Sequence, residues 1–369
     1  MSQLVRKLGP EALRFFDTVL RYRANPLAAA RRYWTLYRHH RFSPDEIHFL
    51  RLLDPALSES DLKRAVSKEE LLAVQGRLNP AHLHARTEDK LCFHAFCRQA
   101  GLPVPEVLAL FDREAAGSPP FPVLADTQDV ARFLDGLGAD AVILKPVAGV
   151  HGEGVMRLER AGREWRDSNG QVRRAEELVG MMSGSGYASW LFQELVVGHP
   201  ELCALSATSG LQTVRVVTVI DERNDVRILA ARLRLISGNH AHDNFDYGKT
   251  GNVIALLDPE NGVIRSAVGG ASGRHEMRSV TQHPATGREL IGYRLPKWLQ
   301  VRQLAVDAAN AFHPLRTIGW DVAITPDALR LIEGNVTWDT LSGESRMGEI
   351  YRYLQTLAEG QAPARMAAA

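Results

Sequence analysis

Lys145 closes the run Ile143-Leu144-Lys145-Pro146 and is followed by Val147-Ala148-Gly149-Val150-His151-Gly152-Glu153-Gly154. Residues of these types can hold phosphate. Gly149, Gly152 and Gly154 let backbone N–H groups turn toward an anion with no Cβ in the way, and the lysine adds a point charge. A tight β-turn that binds nothing accounts for the same residues. The loop is not a Walker A sequence, and it does not lead into a helix as a dinucleotide-binding turn does.

A second group is Gly319-Trp320-Asp321-Val322-Ala323-Ile324, the turn Thr325-Pro326-Asp327-Ala328, and Leu329-Arg330-Leu331-Ile332-Glu333-Gly334-Asn335. If the turn closes a hairpin, Asp321 falls nearly opposite Glu333, while Glu333 and Asn335 share a face. Facing carboxylates repel in a dry fold, and a magnesium ion bound through oxygen ligands and nucleotide phosphates would compensate. Acids that both point to water would need no ion. In a third group, Thr213–Thr218 pairs with Leu229–Leu235 across the turn Glu222-Arg223-Asn224-Asp225, which sets Arg215 opposite Arg232. Like charges across a sheet call either for a solvated face or for an anion beside them, and arginine forks match phosphate and carboxylate.

Smaller candidates lie on Ser237–Gly251. Lys249, flanked by Gly248 and Gly251, could reach a transferred phosphate or stay solvated. His240 and His242 read as polar loop residues or substrate contacts in preference to a metal pair, and Asn244 follows them. Cys92 and Cys97 read as small core hydrophobes.

The elements that must position these groups change along the chain. From Pro10 to about Ala100 apolar residues recur at helical spacing, with Ser43-Pro44-Asp45-Glu46 as a helix start. After Gly101-Leu102-Pro103-Val104-Pro105 come short β-type runs at Val107–Leu110, Ala141–Leu144 and Val155–Leu158. Four hairpins are expected: Val155–Glu159 with Glu164–Val172 around Asp167–Gly170, Thr213–Ile220 with Val226–Ile236, Val253–Leu257 with Val263–Ala267, and Trp320–Ile324 with Leu329–Glu333. Pro296–Phe312 is expected to be a helix.

The totals restrict the function classes. With 369 residues, 45% apolar and 24% charged, the chain can bury a large core in two or three domains. Lysine and arginine number 44 against 43 aspartates and glutamates, so nothing in the overall field points to nucleic acid. Three cysteines without CxxC spacing argue against a disulfide framework or structural zinc and fit a reducing cytoplasm. The basic, amphipathic amino terminus has no uninterrupted apolar stretch, so stable membrane insertion is not expected.

In chain order, these groups resemble the ATP-grasp superfamily from about Lys90 to Asn335. Thr87-Glu88-Asp89-Lys90, then a helix and Gly101–Pro105, is similar to its first nucleotide lysine and the entry into the next strand. Lys145 and the glycine loop resemble its second lysine and the loop that closes over the phosphates. Phe192-Gln193-Glu194-Leu195-Val196 resembles the interdomain hinge, whose backbone at Gln193, Glu194 and Val196 would read adenine. Glu201 stands where many members place a ribose-binding glutamate, although Gly198-His199-Pro200 departs from the common form of the motif before it. Asp321, Glu333 and Asn335 match the metal-binding "D…ExN" signature. More narrowly, Gln193-Glu194, His199-Pro200-Glu201-Leu202, Leu211–Thr218 and Asn244–Gly248 resemble the sugar-transfer-associated ATP-grasp proteins, a name that reflects gene neighbourhood.

The resemblance implies an α/β (α+β) ATP-grasp fold that holds nucleotide between two β-rich lobes, preceded by an α-helical amino-terminal region. The expected segments are 1–85 helical, 86–140 the first α/β part, 141–195 the small lobe, 196–358 the catalytic lobe and 359–369 a disordered tail. It implies a carboxylate–amine, or carboxylate–nucleophile, ligase that works through an acyl phosphate. Its cofactors would be ATP and one or two Mg2+ ions, with Mn2+ able to substitute. Lys90, Lys145, Gly149, Gly152, Gly154, Gln193, Glu194, Val196 and Glu201 would hold nucleotide, and Asp321, Glu333 and Asn335 the metal. Arg215, Arg232 and Lys249 would be catalytic, with Arg215, Asn244 and His242 on substrate. Its partners would be small molecules, with a homodimer allowed. A phosphotransferase acting on a hydroxyl, or a nucleotide sensor with a degenerate site, are the competing readings.

Overall fold

The computed structural model describes residues 9–114, 119–149, 154–238, 243–270, 276–340 and 347–360. The expected tail and the loop residues Gly152 and His242 therefore lie outside the described residues, Glu359 and Gly360 excepted. The chain opens with helices α1 (Pro10–Arg21), α2 (Pro26–His39), α3 (Pro44–Phe49), α4 (Glu59–Leu62), α5 (Lys68–Leu78), α6 (Ala85–Glu88) and α7 (Lys90–Gln99). Polar side chains fix their starts. Asn25 Oδ1 accepts from the Leu27 and Ala28 amides of α2, Ser43 and Glu46 form a capping box on α3, and Asp89 caps α7.

Six strands follow: β1 (Val107–Asp112), β2 (Val123–Leu124), β3 (Ala141–Pro146), β4 (Met156–Ala161), β5 (Glu164–Asp167) and β6 (Ser189–Glu194). They form one sheet in the order β2-β1-β6-β3-β4-β5, so the segments 86–140 and 141–195 share it. Helices α8 (Thr127–Gly136) and α9 (Ala175–Gly184) cover one face, burying Val130, Leu134, Leu178 and Met182 against Phe111, Leu144, Trp190 and Phe192. Strand side chains alternate, so Lys145 turns to the face opposite Leu144.

After the short helix α10 (Pro200–Ser206), a second sheet contains β7 (Thr213–Ile220), β8 (Val226–Leu235), β9 (Val253–Leu257), β10 (Ile264–Gly270), β11 (Met277–Val280), β12 (Thr317–Ile324) and β13 (Leu329–Asn335). Its order is β11-β10-β9-β8-β7-β12-β13. Helix α11 (Trp298–Ala311) interrupts the strands, and α12 (Met347–Ala358) ends the described chain. One face of this sheet, carrying Val214, Val216, Leu233 and Trp320, packs on α11 and on Phe93 and Cys97 of α7. On the other, Val217, Val219 and Leu229 pack on α5 and α12. The latter pair of helices stops short of Arg215 and Asp321, whose row is the polar part of that face.

Three of the expected hairpins stand close to where the spacing put them, as β7–β8, β9–β10 and β12–β13. The other differs in its turn. Strands β4 and β5 turn at Gly162-Arg163, where Ala161 meets Glu164, and Asp167–Gly170 makes a second turn that bridges Arg166 to Val172. The Asp167 carboxylate stabilises that second turn by accepting from the amides of Asn169 and Gln171. Cys97 is buried and Cys92 is exposed; they are five residues apart on α7, so they do not share a face.

The helical region also reaches the second sheet through α3. Phe49 packs edge-on against Phe245 and Tyr247, with ring centroids 5.7 and 5.5 Å away. Tyr247 has φ 50°, and the loop reaches this position through Gly248 at φ +75°, where a Cβ would stand 2.6 Å from the Cα of Gly270. Gly248→Ala is therefore expected to destabilise the chain by roughly 2–3 kcal/mol, read as a lower urea midpoint. Gly101→Ala, at φ +71° with open space around it, should cost only about 1 kcal/mol.

Candidate functional site

The charged face of the second sheet is one row of paired residues. Glu333 lies across from Asp321, Asp321 across from Arg215, and Arg215 across from Arg232. Asp321 is fully buried, and Arg215 grips it with two bonds, Nε to Oδ1 and Nη2 to Oδ2, both 2.6 Å. Arg234 donates a third bond to Oδ2 at 2.5 Å. Burial alone would raise the Asp321 pKa, but the charges of Arg215 and Arg234 outweigh it and hold the carboxyl well below the usual range. Burial would likewise weaken the Arg215 charge, and Asp321 reverses the effect.

Arg234 belongs to no motif of the sequence, yet it is part of this row. Thr213 Oγ1 accepts from its Nε and Nη2 at 3.1 and 2.8 Å and itself donates to Asp243 Oδ2 at 2.6 Å. The available signal was the alternation Arg232-Leu233-Arg234, which puts both arginines on one face of β8. Asp339 was missed too. It pairs with Lys68 of α5 at 2.7 Å and supplies part of the field around Arg232.

Arg232 differs from its neighbours. It is buried, and among the described residues its Nε has no hydrogen-bond partner and its Nη1 reaches the Thr340 carbonyl at 3.5 Å. Burial first, and the charge of Arg215 next, draw its pKa down to about 9. A buried guanidinium with an unpaired Nε donor can receive an anion.

Glu333 reaches toward the first sheet, with 40% of its side chain exposed. Desolvation and then repulsion from Asp321 raise its pKa. The fields of Lys90 and Lys145 both oppose that repulsion, so two cations, one from the start of α7 and one from the end of β3, act on it. Lys145 is buried, and desolvation, followed by the charge of Lys90, pulls its pKa down to about 8. Lys90 is lowered by burial as well, and its Nζ donates to the carbonyls of Val147, at 3.3 Å, and Gly149. The start of the glycine loop is thereby tied to α7. At its far end Gly154 has φ +70°, and a Cβ there would stand 2.8 Å from the Trp190 ring.

A divalent ion fits this setting in part of the expected ligand set. Among the described residues no three His, Cys, Asp or Glu side chains form a complete cage. Magnesium, however, usually takes one or two protein oxygens together with substrate phosphates and water. Glu333 offers such an oxygen. Asn335 spends its Nδ2 on Gly319 O and Glu333 Oε1, at 3.2 and 3.3 Å, which leaves Oδ1 for a cation. Asp321 would join them only by giving up a guanidinium.

The segment leaving β6 joins the two sheets. Gln193 Nε2 donates to Pro105 O at 3.2 Å, the Glu106 amide donates to Glu194 Oε2 at 3.2 Å, and Val196 is buried. Glu201 opens α10, where its Oε2 accepts from the Tyr293 hydroxyl at 3.3 Å. Asn244 is half-buried, and its carbonyl accepts from Thr250 and Asn252. Lys249 stands apart from the arginine row in its contacts: its ion pairs run to Asp45 of α3 and to Asp246, at 3.7 and 3.6 Å.

The model of the sugar-transfer associated ATP-grasp family matches residues 73–345, more than half of the chain. No curated protein matches it. Among solved structures, biotin carboxylase from Campylobacter jejuni is similar at 14% identity and TM-score 0.44, over 78% of this chain and 50% of that one. The L-amino acid ligase from Bacillus licheniformis is similar at 13% and 0.37, over 77% and 50%. The D-alanine–D-alanine ligase from Bacillus anthracis is similar at 12% and 0.40, over 76% and 68%. The chain thus spans about half the length of the first two.

Two substitutions separate the jobs of the acids. Asp321→Asn leaves two arginines facing a neutral group and should cost about 3–5 kcal/mol in urea unfolding. Glu333 has a raised folded pKa, so the stability it contributes is full below about pH 4 and is lost as pH rises through the folded value. Glu333→Gln should therefore raise the unfolding midpoint at pH 7, and the gain should disappear near pH 4.

Proposed function

The chain belongs to the sugar-transfer associated ATP-grasp family and has its ATP-grasp fold, and from that premise we propose that it is a ligase that spends ATP to activate a substrate carboxylate for attack by an amine or a similar nucleophile. The observation that carries this reading is Arg232. The lysines stand beside the glycine loop, where with a divalent ion they would balance a triphosphate, and the buried Arg232 guanidinium, with an unpaired Nε on the second sheet, is placed for a second anion. A carboxylate that receives a phosphoryl group is such an anion before the transfer, and remains one as an acyl phosphate after it.

In this reading Lys90 and Lys145 bind the phosphates, and Gly149, with Gly152 and Gly154, lets the loop close on them and exclude water. The hinge backbone from Gln193 to Val196 lies along adenine and Glu201 takes the ribose. Glu333 and Asn335, with Asp321 behind them, would hold magnesium, whose charge would offset that of the phosphates. Arg215 is held in orientation by Asp321, so its remaining edge and the open edge of Arg232 face the reacting oxygens without further ordering. Asn244, with His242, would contact substrate, and Lys249 would hold the loop that carries them. Arg232 is poised for charge that develops on the carboxylate oxygen: burial leaves its positive charge poorly solvated, and an arriving anion would compensate for the lost water.

The test is ADP release measured over paired carboxylates and amines, with mass spectrometry of the adduct. An adduct that carries neither phosphate nor nucleotide, formed only when both substrates are present, supports ligation. A stable phosphorylated hydroxyl formed without any amine overturns it. Lys145→Ala and Glu333→Ala should each lower ADP release by about a hundredfold or more, and near-normal turnover in Glu333→Ala would refute the role given to that carboxylate.

A further inference from the structure

Ten large hydrophobic side chains are exposed among the described residues, and six of them, including Leu20, Leu27 and Trp34, belong to α1 and α2. These helices precede the residues matched by the family model. They are also the most basic stretch of the chain: Gly9 to Arg41 holds seven arginines against Glu11 and Asp17, five positive charges in excess, where the whole chain has a net charge of +1. Phe15 and Tyr33 pack edge-on at 5.9 Å where the two helices meet.

On α2 the placement is sharp. Ala29 and Leu36 are buried, while Leu27, Arg31, Trp34 and Arg38 follow at four-, three- and four-residue steps along the opposite side, all exposed. Leu20 and Leu27 flank the turn 22–25 and are 78% and 82% exposed, so they form an apolar tip. Four of the arginines are engaged: Arg14 with Asp45, Arg21 with Glu276, Arg41 with Glu69 and Arg32 with the Asp54 carbonyl. Arg23, at the tip, and Arg31 and Arg38, beside Trp34, make no ion pair among the described residues.

We propose that the tip of α1 and α2 and the outer face of α2 dock on an anionic lipid surface. Leucines at a tip, a tryptophan whose ring is apolar and whose N–H is polar, and unpaired arginines alternating with them match an acyl boundary under negatively charged headgroups. A second copy packed on this face about a two-fold axis would bring the Arg31 and Arg38 row of one chain against the same row of the other, which like-charge repulsion opposes. Contact is peripheral, since among the described residues no helix is long and apolar enough to cross a membrane.

The experiment sediments the full chain with vesicles of phosphatidylcholine alone or with about one-third phosphatidylglycerol. Binding is expected with the anionic vesicles, weakened in high salt. It should fall by about tenfold or more in Leu27→Ser/Trp34→Ser and again in Arg31→Glu/Arg38→Glu. These side chains are exposed, and unchanged urea midpoints would show that the variants stay folded. No sedimentation with anionic vesicles overturns the proposal. So does binding that ignores both pairs of substitutions, or self-association of the free chain that either pair abolishes.

Discussion

Asp321 carries its negative charge at a place water does not reach, and three hydrogen bonds from Arg215 and Arg234 are what make that tenable. An isolated carboxylate there would take up a proton, and two isolated guanidiniums would repel. Joined, they lock β7, β8 and β12 in one register and fix the direction of each arginine. Glu333 and Arg232 occupy the two ends of the row without such satisfaction. One is a carboxylate pushed toward protonation, the other a guanidinium pushed toward neutrality. The stable centre lets the unsatisfied ends exist, and those ends are where ligands of opposite charge gain most.

Lys90, at the start of α7, and Lys145, near the end of β3, add cations beside this row. Lys90 and Lys145 disfavour each other and are both desolvated, so the free protein holds them at an electrostatic cost that an anion between them would remove. That cost is a form of preorganisation: the groups are ordered before ligand arrives, and the tie from Lys90 to Gly149 orders the loop start with them.

Much of this was legible because turn chemistry and strand alternation are local. The pairing of Arg215 with Arg232 follows from counting outward from the turn, yet the ladder next to the turn is one residue out of that count, with Ile220 across from Val226. A bulge between Val217 and Thr218 restores it. A second bulge, between Asp321 and Val322, sets Asp321 across from Glu333. Alternation alone could not show what Asp321 would bond to. The paired acids suggested a cation between them, whereas the arginine two positions beyond Arg232 comes from a strand that sequence order places far away. Lys68, Asn79 and Asp339 were illegible for the same reason, since their roles depend on where a helix of the amino-terminal region docks.

That docking makes the helical region part of the candidate site. Asn79 uses its whole amide on β12 and on the chain leaving β13: Nδ2 donates to the carbonyls of Thr317 and Val336, and Oδ1 accepts from the amides of Arg316 and Thr317. Gln75 holds the Trp338 carbonyl and Lys68 holds Asp339. These bonds determine where β13 ends, and so where Glu333 and Asn335 stand and how much negative field reaches Arg232. On the other side of the row, Phe49 and Asp45 hold Tyr247 and Lys249. The two sheets and the start of α7 supply the charges of the candidate site, while contacts from α3 and α5 position Tyr247, Lys249 and the Asp339 carboxylate whose field reaches Arg232. Under the proposed chemistry the second substrate occupies the space beside Arg232, so selectivity among carboxylates would be decided largely by helices that never contact the triphosphate.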